Sequence, residues 1–85
     1  MKQIEYIPQG VCSRRIHLSL TDDNRIESVS FEGGCNGNLQ GIASLVQGMP
    51  AADVMQRLQG IRCGNKCTSC PDQLCQAIKQ AMNQF

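Results

Sequence analysis

The first third of the chain alternates between hydrophobic and polar residues. Between residues 15 and 20 the hydrophobic side chains share one face of an extended segment and the polar ones share the other, which predicts a half-buried strand. The turn-forming sequence 22–24 follows, and residues 25–31 then predict a returning strand with Val29 and Phe31 facing the core. A shorter strand is expected from about Lys2 to Ile7. The second and third strands should form an antiparallel hairpin.

Beyond residue 38 the hydrophobic period becomes helical. The first helical stripe consists of Leu39, Ile42, Ala43 and Val46. A second short helix is expected over residues 51–59, closed by Gly60. The third and clearest stripe consists of Leu74, Ala77, Ile78, Ala81, Met82 and Phe85. The predicted fold is therefore α+β, with a small three-stranded antiparallel sheet packed against three helices in one domain over residues 1–85.

Charge and terminal sequence restrict the classes of function and location. The net charge is +1 and no five like charges follow one another, so we expect no nucleic acid partner. The N-terminus lacks the apolar run of a signal peptide, and no segment approaches the roughly 20 apolar residues of a membrane span. The sequence therefore predicts a cytoplasmic protein without membrane attachment, in which thiols stay reduced.

Cysteine is the most informative residue type, with six in 85 residues. Such density indicates a disulfide framework, a metal or cluster site, or a thiol redox centre. Three of the cysteines are closely spaced in the segment Cys63-x-x-x-Cys67-x-x-Cys70. A reducing compartment disfavours the disulfide framework and leaves the metal site and the redox centre. A bound metal would also stabilise a small core that contains only three aromatic residues.

The predicted hairpin brings distant cysteines together. If its turn centres on Asp23, Cys12 lies opposite residue 34 and beside Cys35. Cys35 precedes the first helix, for which Asn36 or Asn38 is the expected N-cap.

The last helix has a thiol at its expected beginning. Its predicted start has Cys70 at the N-cap, Pro71 at the first helical position and Gln73 at the third. A thiol there faces unpaired N–H groups, which favour the thiolate that binds metals. Cys63 and Cys67 lie in the glycine-containing loop just before this helix.

Four or five thiols are therefore candidate metal ligands, namely Cys12 and Cys35 from the hairpin end and Cys63, Cys67 and Cys70 from the last loop. Four thiolates suit Zn²⁺ or an iron–sulfur cluster. Cys75 lies inside the last helix beside apolar residues, and we interpret it as a small buried hydrophobe.

Other motifs carry less weight. The cysteine spacing 63–67–70 also occurs in radical S-adenosylmethionine enzymes, which need a barrel much longer than this chain. The glycines at 33, 34 and 37 lack the lysine of a phosphate-binding loop. His17 should point outward from its strand at the surface. No constellation of catalytic bases is evident, so we do not expect the chain to turn over a substrate alone.

The residues Thr68-Ser69-Cys70-Pro71-Asp72 form a compact motif, and further blocks that contain cysteine and glycine lie at 10–13, 33–38 and 60–64. Together these segments resemble the TSCPD domain family, whose name the first motif spells, in its small stand-alone bacterial branch. The resemblance implies four signature cysteines, namely Cys12, Cys35, Cys63 and Cys70. It also implies a relation to ribonucleotide reductases, because similar domains form the C-terminus of the cobalamin-dependent enzymes.

Three functions follow as hypotheses. The first is a metal-binding or thiol-redox accessory module with Zn²⁺ as cofactor, whose partner is a ribonucleotide reductase or another redox protein and which supports ribonucleoside-diphosphate reduction. The second is an iron–sulfur cluster scaffold or carrier, since the order of strands, cysteines and helices is also similar to such scaffolds. The third is an interaction domain with inert cysteines.

Overall fold

The computed structural model of the chain describes residues 2–11, 13–34, 36–62, 64 and 67–84. The elements in chain order are β1 (Lys2–Tyr6), β2 (Ser13–Leu20), β3 (Ile26–Gly33), α1 (Asn36–Val46), α2 (Ala51–Leu58) and α3 (Cys70–Gln84). The strands form one antiparallel sheet in the order β1-β2-β3. Helix α1 packs against β3, α3 packs against β1 and β2, and α2 packs against α3. The predicted α+β fold is confirmed.

The core lies between one face of the sheet and the apolar stripe of α3. Ile16, Leu18 and Leu20 on β2 are at most 2% exposed, as their alternation with polar residues predicts. The stripe residues of α3 that are fully buried against them are Leu74, Ala77, Ile78 and Ala81. The opposite face of the sheet carries the polar residues of the alternation. The alternating hydrophobic residues of the strand and the hydrophobic stripe of the helix therefore pack together in a single core.

A β-bulge near the turn buries a residue that strict alternation places outside. Leu18 pairs with Val29 and Ser19 pairs with Ser28, but Leu20 pairs with Ile26, so β3 contains one extra residue there. If every second residue before Val29 faced the core, as in a regular strand, Ile26 would lie on the polar face. The extra residue turns Ile26 inward, where it is only 1% exposed.

A second irregularity lies at the open end of the hairpin. Ser13 pairs with Gly33 and Arg15 pairs with Glu32, so the extra residue here is Arg14 on β2. As a result Ser13 is buried at 3% exposure, while Arg14 and Arg15 are both exposed. The Ser13–Gly33 pair has the register that a turn centred on Asp23 predicts.

The segment between α1 and α2 closes the beginning of β3. The Ile26 N–H donates to the Met49 carbonyl at 2.9 Å, and the Gly48 N–H donates to the Ile26 carbonyl at 2.8 Å.

Helix α1 already begins at Asn36, so the prediction that Asn36 or Asn38 is its N-cap is wrong. In the described part of the chain, no helix has the length and apolar character needed to cross a membrane.

Two glycines of the α1 region offer a matched test of backbone conformation. A Cβ added at Gly41 or at Gly48 would meet nothing within 4 Å, but Gly41 lies within α1 whereas Gly48 has φ +84°. Gly41→Ala should raise the free energy of unfolding by about 1 kcal/mol through helix propensity. Gly48→Ala should lower it by about 1–2 kcal/mol, because an L-residue is strained there. Urea unfolding of both variants checks this, and shifts of the same sign would contradict it.

Candidate thiol site

The beginning of α3 is capped by Ser69, not by Cys70. Ser69 Oγ accepts a hydrogen bond from the Asp72 N–H at 3.2 Å, and the Ser69 carbonyl accepts the Gln73 N–H at 2.8 Å. A hydroxyl oxygen accepts a hydrogen bond from an N–H group better than a thiol does, which explains why the serine caps the helix and the cysteine does not. The predicted cap at Cys70 is therefore wrong by one residue, and Pro71 takes the second helical position, still within the first turn.

The Asp72 carboxylate connects α3 to the loop before it and to the end of α2. Its Oδ2 accepts the Thr68 hydroxyl at 2.5 Å, and its Oδ1 accepts the Gly60 N–H at 2.8 Å. These hydrogen bonds, the one from Thr68 first, hold the pKa of the Asp72 carboxyl below its ordinary value of 3.8. Sequence reasoning missed this role. The only signal was an acidic residue in the first turn of a predicted helix.

Gln73 extends the same network to the loop between β1 and β2. Its Nε2 donates to Thr68 Oγ1 at 2.9 Å, and its Oε1 accepts the Gln9 N–H at 3.2 Å. Gly10 packs beside them with φ +73°, and a Cβ there would lie 3.3 Å from Thr68 Cγ2. This glycine therefore provides both the left-handed conformation and the room that the contact needs. The network brings the β1–β2 loop onto the beginning of α3.

Cys70 is the thiol that this network positions. It is the first residue of α3, is 8% exposed, and its Sγ lies 3.3 Å from Ser13 Oγ, within hydrogen-bond distance. Ser13 reaches it because the bulge at Arg14 turns the serine inward. The open end of the hairpin and the start of the last helix therefore meet in space, as the sequence predicts.

The other candidate ligands divide between described and undescribed positions. Cys67 is described and exposed, three residues before Cys70. Cys12, Cys35 and Cys63 lie outside the described residues, so their role as ligands remains a prediction. The described residues include half of the six cysteines, and among them no group of three or more His, Cys, Asp or Glu side chains is arranged so that it could hold a metal ion.

Cys75 is separate from this site. It is fully buried, and its Sγ lies 3.8 Å from the Met55 carbonyl oxygen and 3.9 Å from that of Val54, at the contact between α3 and α2. Burial, with a smaller contribution from Asp72, raises the pKa of the Cys75 thiol to about 11. Such a thiol stays protonated near neutral pH, so Cys75 packs as the small hydrophobe that its position predicts.

His17 lies on the polar face of the sheet between two carboxylates. Its Nδ1 is 3.4 Å from Glu5 Oε1 on β1, and its Nε2 contacts Glu32 Oε2 on β3. The hydrogen bond with His17 lowers the pKa of the Glu32 carboxyl below its ordinary value of 4.5. The side chain is half-buried within this cross-strand group, on the outward face that the sequence predicts.

Comparison with known proteins identifies the family. The profile of the TSCPD domain matches residues 1–82, essentially the whole chain, so the chain belongs to the TSCPD domain family. This family is associated with ribonucleotide reductases, which supports a reductase-related accessory module. Neither the curated proteins nor the solved structures contain a significant match to the chain.

The Asp72 hydrogen bonds predict how stability depends on pH. Because folding lowers the pKa of this carboxyl below 3.8, its contribution is complete above about pH 4 and is lost as the pH falls through the folded-state pKa. Asp72→Asn should therefore lower the melting temperature at pH 7, and the difference from wild type should shrink in more acidic solution.

The matched control is Glu27→Gln, which removes a charge from an exposed position of β3. This variant should change the melting temperature little, both at pH 7 and in acidic solution. An Asp72→Asn deficit that persists unchanged at pH 3, measured by thermal unfolding at several pH values, would contradict the assignment.

Proposed function

We propose that this chain is a thiolate metal-binding accessory module of the ribonucleotide-reductase type, located in the cytoplasm. Cys12, Cys35, Cys63 and Cys70 would hold Zn²⁺, with Cys67 as the alternate ligand. Zinc bound by four thiolates is closed to substrate and serves structure. The module would then support a reductase as a partner protein and would not itself turn over ribonucleoside diphosphates.

The observation that carries this proposal is the contact between Cys70 and Ser13. Ser13 directly follows Cys12 in the sequence, and its pairing partner Gly33 lies two residues before Cys35. A thiol at the start of α3 therefore lies against the strand ends that lead to two other cysteines. Cys70 also offers the soft sulfur donor that Zn²⁺ binds, at the first residue of α3.

The burial of Cys70 favours a structural zinc site over an exposed, transferable cluster. Cys70 is 8% exposed, and the loop that precedes it is held by the hydrogen bonds of Thr68 and Asp72. A cluster carrier must present its cluster to an acceptor protein, and a buried ligand next to the hydrogen-bonded Thr68 opposes that release. The scaffold remains the alternative that metal analysis distinguishes.

Metal analysis of anaerobically purified protein tests the proposal. Wild type should contain about one Zn²⁺ per chain, whereas Cys70→Ser should lose the metal and several kcal/mol of unfolding free energy, since binding is coupled to folding. Replacing zinc by Co²⁺ should give the absorption bands of tetrahedral thiolate coordination in wild type only.

Cys75→Ala is the matched control, because it removes a buried thiol outside the site. It should keep the metal and cost about 1 kcal/mol. Wild-type protein that contains no metal and takes up neither zinc nor iron would refute metal binding. Iron with acid-labile sulfide in place of zinc would favour the scaffold.

A thiol-redox module is the second candidate, and the pairing of an exposed with a buried thiol favours it. Cys67 is open to attack by an oxidant or a partner thiol, and Cys70 lies three residues further as a resolving thiol. Metal-free protein should form a Cys67–Cys70 disulfide with oxidised glutathione, each bond releasing two reduced glutathione molecules. Metal-bound protein should resist, because coordinated thiolates are protected.

Peptide mass mapping of the disulfides in both states distinguishes the two candidates. A Cys67–Cys70 bond that exchanges with the active-site dithiol of a ribonucleotide reductase would support the redox module. A Cys67–Cys70 bond that forms only in metal-free protein and passes no electrons to the reductase would support the structural zinc site instead. A Cys12–Cys35 bond as the main product would contradict the predicted Cys67–Cys70 pairing.

A further inference from the structure

An apolar groove lies between α1 and α2, and none of the described cysteines lines it. It encloses about 420 Å³, and its apolar walls include Ile42 and Leu45 from α1, Met49 from the connecting segment, and Leu58 from α2. Leu45 is 78% exposed, which is the largest exposure among the exposed large hydrophobic residues of the described chain. A protruding leucine therefore stands at the edge of a groove that has room for such a side chain.

The surface around this groove carries almost no charge. No charged residue occurs between Glu32 and Asp53, so α1 contains none at all. A helix that faces water usually carries charged or polar residues on its outer face. The outward side of α1 is polar but uncharged, with Asn38, Gln40 and Ser44 exposed beside the protruding Leu45.

The groove has one charged pair at its α2 side. Arg57 lines the groove, and Asp53 lies one helical turn before it on the same face of α2. Both are exposed, and within the described residues neither forms an ion pair. The surface thus contains one cation, one carboxylate, one protruding apolar side chain and one apolar groove.

We propose that this surface binds a second copy of the same chain, forming a two-fold dimer. In a two-fold interface each residue contact occurs twice, so a surface that offers both members of each contact is complementary to itself. Leu45 of each copy would enter the groove of the other, and Arg57 of each would face the Asp53 carboxylate of the other. Because this surface carries one positive and one negative side chain, it suits a second copy of itself better than a partner of strong net charge. Such a partner would be repelled by one of the two side chains.

Analytical ultracentrifugation over a range of protein concentrations, up to about 1 mM, tests the dimer. Wild type should sediment as a monomer–dimer equilibrium, and Leu45→Asp should sediment as a monomer throughout. Ile7→Asp is the matched control, since Ile7 is a 58% exposed hydrophobic residue that does not line the groove. It should dimerise like wild type. Because Leu45 is exposed, Leu45→Asp should keep the circular dichroism spectrum of wild type.

Charge exchange tests the two-fold arrangement itself. Asp53→Arg and Arg57→Asp should each weaken the dimer roughly tenfold, because each places like charges opposite one another in two symmetric contacts. The double variant should restore the wild-type dissociation constant. A monomeric wild type, equal effects of Leu45→Asp and Ile7→Asp, or a double variant weaker than both single ones would each overturn the proposal.

Discussion

The Asp72 carboxylate is the interaction on which the arrangement of the thiol site depends. It accepts hydrogen bonds from Thr68 in the preceding loop and from Gly60 at the end of α2, so three segments meet at one side chain. Hydrogen bonds to a charged acceptor contribute more than neutral ones, about 1.5–3 kcal/mol each. Thr68 then accepts from Gln73, which holds the β1–β2 loop through Gln9. This chain of contacts acts together with the hydrogen bond between Ser13 and Cys70 to hold the thiol against the hairpin end.

The five residues that give the family its name can now be assigned separate physical tasks. Ser69 caps α3, Pro71 occupies a first-turn position where its missing N–H costs nothing, and Thr68 and Asp72 hydrogen-bond to each other across the helix start. Only Cys70 offers reactive chemistry. Four residues of the motif thus position one thiol, which explains why a short segment can define a small domain with a marginal core.

Most of the fold follows from hydrophobic periodicity, because burial of one face decides each element. The alternation around Ile16 predicted β2 and its buried face, and the stripe from Leu74 to Ala81 predicted the buried face of α3. Phe85, at the end of the predicted stripe, lies outside the described residues. The two β-bulges could not be predicted, since an extra residue in a strand leaves no mark in composition. One bulge turns Ile26 into the core and the other turns Ser13 toward Cys70.

Prediction of the site was less complete for a similar reason. The hairpin register predicts which residues lie opposite one another at the open end of the hairpin, and the separate character of Cys75 follows from its place on an apolar helix face. The position of the cap does not follow, because Ser69 and Cys70 are adjacent and a shift by one residue changes which side chain caps and which faces the hairpin. The hydrogen bonds that Gly60 donates to Asp72 and that Gln9 donates to Gln73 join residues far apart in sequence, and no local pattern encodes them.

Helix α2 connects the thiol site with the neutral groove. Its residues Val54 and Leu58 line the groove, its carbonyl groups contact Cys75 of α3, and Gly60 just beyond it donates to Asp72. Among the described residues the two surfaces share none, yet both depend on where α2 packs against α3. A chain of 85 residues has a small hydrophobic core, and that core alone gives limited stability to the packing of α2 against α3. A metal that orders the start of α3 would therefore also order the helix that forms one wall of the groove, and a partner in the groove would in turn hold the N–H that Asp72 accepts.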